Sequence, residues 1–129
     1  YDGGFNMNKD KLMEAFNKQK EEGYKEFEYY IAHIIALKEN LNEYDKSILE
    51  ENYCRKDKIK GLTCCTLFYD NNINKDSYFK ALYSIETEKI KYYGNGEYKD
   101  GTLSCKEINR EAFLEGISNK EFIELLKYV

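Results

Sequence analysis

The side chains best suited to chemistry in this chain are one histidine, four cysteines and thirteen tyrosines. The lone His33 lies inside the apolar run Tyr29-Tyr30-Ile31-Ala32-His33-Ile34-Ile35-Ala36-Leu37. Histidine titrates, unperturbed, near neutral pH, which makes it the usual proton shuttle and a frequent metal ligand. A single copy leaves no material for a multi-histidine metal site or for most hydrolytic triads. Its apolar setting predicts a buried ring, bonded to a carbonyl or a tyrosine hydroxyl and without a catalytic role.

Zinc sites commonly use closely spaced pairs of cysteines. Cys54, Cys64, Cys65 and Cys105 lack that spacing and would have to converge with His33 from separate elements. Cys65 with His33 is the one cysteine–histidine combination with a core setting, and no motif flanks it to suggest an activated nucleophile. Carboxylate pairs such as Glu50-Glu51, or Glu86 with Glu88, are expected by chance among 24 acidic residues. Gly94-Asn95-Gly96 lacks the further glycine and the Lys-Ser/Thr of a phosphate loop. The residues thus favour binding over catalysis, and no metal or cofactor is assigned.

Composition narrows the partner. The content of hydrophobic residues, 42%, suits a folded chain although 34% of residues are charged, and the length suits one domain over residues 1–129. Residues 1–6 are expected to be tag-derived or flexible, with Met7 as an alternative start. A net charge of −4 argues against nucleic acid as the partner. No apolar run is long enough to span a bilayer, so no membrane association is expected. Lysine outnumbers arginine by 18 to 2, with many Asn, Ile and Tyr, as in a low-GC genome. An even cysteine count permits two disulfides in a secreted chain. A core of this size does not require such staples, so the expectation is a cytoplasmic protein with free thiols, and secretion is the alternative.

Periodicity supplies the elements that must position these side chains. Asn8 can cap a first helix carrying Leu12, Met13 and Phe16, with Gly23 as its stop. A second helix is predicted from Tyr24 to Leu41, with Phe27, Ile31, Ile34, Ile35, Lys38 and Leu41 on one face. A third covers Asn42 to Tyr53, with Tyr44, Ile48 and Leu49 inward. The basic stretch Arg55 to Lys60 then reads as a solvated connection. From Leu62 the period becomes that of strands. Strands are predicted over Leu62–Tyr69, Ser77–Glu86 and Lys89–Tyr93, with a loop over Asp70–Asp76. Asn95-Gly96 is the preferred dipeptide of a type I′ hairpin, and Asp100-Gly101 offers a second tight turn. Ser104 with Glu107, and Ser118 with Glu121, have capping-box spacing and predict two short helices separated by Gly116. The predicted fold is α+β: N-terminal helices, a central antiparallel meander of three to four strands across residues 62–103, and two short C-terminal helices.

The remaining signal is tyrosine, which gives large contact area for little side-chain entropy. Neighbours on a strand point to opposite faces, so one of Tyr92 and Tyr93 is expected outside. The predicted binding surface is the hairpin around Asn95-Gly96, with Tyr92, Tyr93, Asn95, Tyr98 and Lys99. The expected function is that of a small acidic binding protein occupying a protein partner. An inhibitor or immunity protein from a phage or mobile element fits that description, and a homodimer is compatible with it. The alternatives are a small-ligand or nucleotide-binding protein with an aromatic pocket, and a secreted, disulfide-stabilised pathogen protein.

Overall fold

A computed structural model describes residues 9–20, 23–54, 63–72, 74, 76–117 and 120–129. Asn8, the stretch 55–60, Leu62 and Ser118, to which the sequence assigns roles, lie outside the described residues. The elements run α1 (Lys9–Gln19), α2 (Phe27–Ile35), α3 (Glu43–Ile48), a wide π-type turn (Leu49–Tyr53), then β1 (Cys64–Asn72), β2 (Ser77–Ser84), β3 (Lys89–Lys99) and β4 (Thr102–Ile108). Two short helices close the chain, α4 (Arg110–Gly116) and α5 (Glu121–Glu124), followed by a tight turn over Leu125–Tyr128. The strands form one antiparallel meander in the order β1-β2-β3-β4. The architecture is α+β, as the change of period predicts.

Several boundaries move, each for a physical reason. The second helix is shorter than the apolar run implies. It ends at Ile35, and the amides of Leu37 and Lys38 turn back to the carbonyls of Ile34 and Ile35. The carbonyl of Leu37 then accepts from Arg110 Nε and Nη2, at 3.1 and 2.8 Å, and that of Lys38 accepts from the Tyr92 hydroxyl at 3.3 Å. Helix α3 starts where Asn42 and Asp45 form a capping box, each side chain satisfying the other's amide. Asp45 is completely buried and pairs with Lys38 Nζ. Lys38 lies on the face where the helical stripe places it, and what the stripe does not show is its buried charge partner.

The sheet is longer than predicted. Asp70, Asn71 and Asn72 belong to β1, and Asn72 stands opposite Ser77. Asn95-Gly96 is not a turn: β3 continues to Lys99, with an irregularity between Asn95 and Tyr98. The reversal lies at Asp100-Gly101, where both residues have the positive φ, 53° and 78°, that a type I′ turn demands. Ser104 opens no helix either. It sits in β4, and its Oγ accepts from the Glu97 amide and donates to the Glu97 carbonyl, stitching the β3 irregularity. The helix starts after Asn109, whose side chain accepts from the Ala112 amide. The cysteine expectation is also corrected. Cys54 and Cys65 form a disulfide joining the end of the π-type turn to β1, while Cys64 and Cys105 are free thiols.

The core lies between the helices and one face of the sheet. Phe113 of α4 packs edge-on against Phe68 and Phe79 and tilts against Tyr92. Phe16, Phe27 and Tyr30 form a second aromatic group where α1 crosses α2. Phe79 is wedged between two glycines, and a Cβ at Gly94 would stand 2.9 Å from its ring and 2.6 Å from Ile108. A Cβ at Gly116 would overlap the ring outright. Gly116→Ala is expected to cost about 1–3 kcal/mol, the range for overpacking a core. Thermal unfolding checks this, and Phe79→Leu combined with Gly116→Ala should recover part of the loss.

Candidate functional site

A strand sends alternate side chains to opposite faces, and the register sorts this sheet into two chemistries. One face carries Cys65, Phe68, Phe79, Ala81, Tyr83, Tyr92 and Gly94, all buried. Among the described residues the ring contacts between helices and sheet all run to this side, through Phe68, Phe79 and Tyr92. The opposite face carries Tyr69, Tyr78, Tyr93 and Tyr98, together with Leu82 opposite Lys91 and Leu103 opposite Tyr98. Tyr69 and Tyr98 are 52% and 56% exposed.

Local contacts hold these tyrosines in place. Tyr69 packs edge-on against Tyr78, with ring centres 5.3 Å apart. Lys80 Nζ lies 5.5 Å over the ring of Tyr93, a cation–π contact that also shields its aliphatic stem. The Tyr98 hydroxyl donates to Asp76, and that bond raises its pKa. Burial, with Tyr69 and Cys105 nearby, raises that of Tyr78. The face therefore offers aromatic rings with polar tips beside Lys80 and Lys91, the latter 3.9 Å from Glu107.

The residues read from sequence as one binding hairpin separate on the structure. Tyr93 and Tyr98 lie on the open face, and Lys99 is exposed beside the reversal at Asp100-Gly101. Tyr92 is in the core, only 9% exposed, against Phe113. Asn95 is a brace: its Oδ1 accepts from the Tyr78 amide at 2.6 Å, just beyond the last β2–β3 backbone pair, Lys80 with Tyr93. Tyr69, Tyr78, Leu82 and Leu103 share the open face without belonging to the hairpin surface read from sequence. The alternation along Ser77–Ser84 separates Tyr78, Lys80 and Leu82 from Phe79, Ala81 and Tyr83 and is a signal for Tyr78 and Leu82, whereas Tyr69 and Leu103 join the face through register with β2 and β3.

His33 stands apart from this face. It is half-buried on α2, its Nδ1–H donates to the Tyr29 carbonyl at 3.2 Å, and its ring meets Tyr24 and Phe68. Burial lowers its pKa to about 4, against a smaller opposing effect of the Tyr29 bond. Among the described residues no three His, Cys, Asp or Glu side chains gather closely enough to hold a metal ion. Comparison with protein families, with characterised proteins and with solved structures gave no match.

The ring is thus neutral in the fold at physiological pH, and acidification has a defined sign. The unfolded chain takes up the proton near its ordinary 6.5, the folded protein only near 4. Stability from this group is complete above the first value and lost as pH falls toward the second, by about 2 kcal/mol after discounting for solvent access. Urea unfolding near pH 7 and near pH 4.5 should show this difference in the parent and its loss in His33→Gln.

Proposed function

We propose that this protein acts by binding, occupying a protein partner with the open face of its sheet. The observation that carries the reading is the set of four tyrosines and two leucines on the face opposite the core, with Tyr69 and Tyr98 more than half exposed. Tyrosine anchors binding energy well because a large amphipathic ring is ordered at small entropic cost. Here the rings are already oriented by Lys80 and Asp76 before any partner arrives. Preorganisation of this kind lowers the cost of association. A protein suits the face better than nucleic acid. Lys80 is engaged with Tyr93 and Lys91 lies near Glu107, which leaves Lys89 as the one unpaired lysine of this face among the described residues, too little for a continuous track along phosphates. Occupying a partner in the manner of an inhibitor or immunity protein requires nothing more than such a face.

Affinity capture with the parent chain supplies the partner, and the Tyr69→Ala/Tyr98→Ala double variant supplies the test. The expected result is an affinity at least about tenfold weaker, with the melting temperature unchanged. A folded double variant that still binds within about twofold places the surface elsewhere and overturns the reading.

The compartment reading shifts with the disulfide. No helix among the described residues is long and apolar enough to cross a membrane. The Cys54–Cys65 bond supports an oxidising compartment, the alternative to the cytoplasm, because such bonds persist where thiols are not kept reduced. Thiol titration of denatured protein without reductant should find the two thiols of Cys64 and Cys105. Finding all four cysteines free in protein from its native source would return the reading to the cytoplasm.

A further inference from the structure

A second candidate site lies at the end of the sheet where β2 turns into β3, and its rim reaches Lys89, which stands by register on the same face as Lys91. It is a cleft of about 410 Å³ between the residues following α2, the β2–β3 reversal and the start of α4. That volume falls within the range of small-molecule sites. Its apolar wall is made by Leu41, Ile90 and the ring of Tyr92.

The charge of this cleft runs against that of the chain. Lys38, Lys46, Lys89 and Arg110 line it against Glu39 and Glu88, four cations to two anions, in a protein of net charge −4. Two of the cations are already neutralised: Lys38 by buried Asp45, and Lys46 by Glu88 at 2.9 Å. Arg110 and Lys89 are not. Among the described residues neither pairs with a carboxylate. The Arg110 guanidinium spends Nε and one Nη2 hydrogen on the Leu37 carbonyl, which fixes the plane of the group. A further contact runs to the Tyr92 hydroxyl, and the outer N–H donors of the guanidinium can still meet a carboxylate or phosphate. A positioned guanidinium, a lysine free of ion pairs and an adjoining apolar wall are complementary to one kind of molecule.

We infer that the cleft bounded by Arg110, Lys89, Leu41 and Ile90 binds a small amphipathic anion, with a carboxylate or phosphate head on an apolar body. The head meets Arg110 and Lys89, and the body covers Leu41, Ile90 and the Tyr92 ring. Glu39 on the rim disfavours a second negative charge, so a singly charged head is preferred over a polyanion.

Octanoate and methyl phenyl phosphate, a phosphodiester with a single charge at neutral pH, are suitable probes, titrated into isotopically labelled protein at constant ionic strength. Octylammonium and 1-octanol serve as cationic and neutral controls. Both anions should shift the amides of residues 38–41, 88–92 and 110–111 saturably, and the controls should not. Arg110→Gln should weaken binding by about tenfold, the scale of a charge-assisted hydrogen-bonded contact. Arg110 also anchors Leu37, so Lys89→Glu, at an exposed position, decides the matter if Arg110→Gln does not fold. It should weaken binding by at least about threefold at the parent melting temperature. Shifts no larger than those from sodium chloride would overturn the assignment. Equal binding of 1-octanol, or a folded Lys89→Glu variant binding octanoate within about twofold of the parent, would do the same.

Discussion

Backbone carbonyls that enter a core need partners, and just past α2 those of Leu37 and Lys38 are satisfied from much later in the chain. Arg110 directs two N–H groups at the Leu37 carbonyl, across 73 positions of sequence, and Tyr92 reaches the Lys38 carbonyl from β3. These bonds tie the chain just past α2 to β3 and to the start of α4. Once Lys38 has left the helix, its ammonium pairs with buried Asp45, itself the residue that caps α3. A buried carboxylate is costly without such a partner, so the path of the chain from α2 into α3 depends on that pair. The cleft that holds Arg110 and Lys89 is the space left beside these connections.

The sheet divides labour by period alone. Tyr92 and Tyr93 are neighbours in sequence with opposite surroundings. One is packed on Phe113, with its hydroxyl given to a backbone carbonyl; the other lies on the open face under Lys80. The same holds for Cys64 and Cys65. The first is an exposed thiol and the second turns inward to meet Cys54. Where the two-residue rule fails, a local device accounts for it. Leu67 and Phe68 are both buried because the β1–β2 register slips there. The irregularity in β3 between Asn95 and Tyr98 is held by Ser104 and leaves Tyr98 opposite Leu103.

The core is strongly aromatic, and that choice has consequences for both chemistry and tolerance. Burial pushes the hydroxyls of Tyr30 and Tyr83 up to about 12 and keeps them neutral. It pulls His33 the other way, toward the neutral base. Each of these groups is removed from proton transfer near neutral pH by the same desolvation. Large rings also need close approach, which explains glycine on either side of Phe79. Gly94, which reads locally as part of a turn, is a packing residue.

Sequence by itself determined the fold class and most of the sheet. Hydrophobic period depends only on which residues face a core, so the helical stripes, the alternation along Ser77–Ser84 and the reversal at Asp100-Gly101 could be read directly. The same logic sends Tyr92 and Tyr93 to opposite faces, although the binding surface read from sequence includes both. Tertiary structure decided everything that rests on partners distant in the chain. Asn95-Gly96 has turn chemistry, yet pairing with β4 and the Asn95 bond to Tyr78 keep it extended. Ser104 and Glu107 have capping spacing, yet a strand partner claims them. The ties just past α2, the buried partner of Lys38, the Cys54–Cys65 bond and the gathering of Tyr69, Tyr78, Tyr93 and Tyr98 on one face all depend on register and long-range contact. Local propensities are worth only fractions of a kcal/mol per residue, about as much as one cross-strand pair. Where the two disagree, the set of contacts that closes the core prevails.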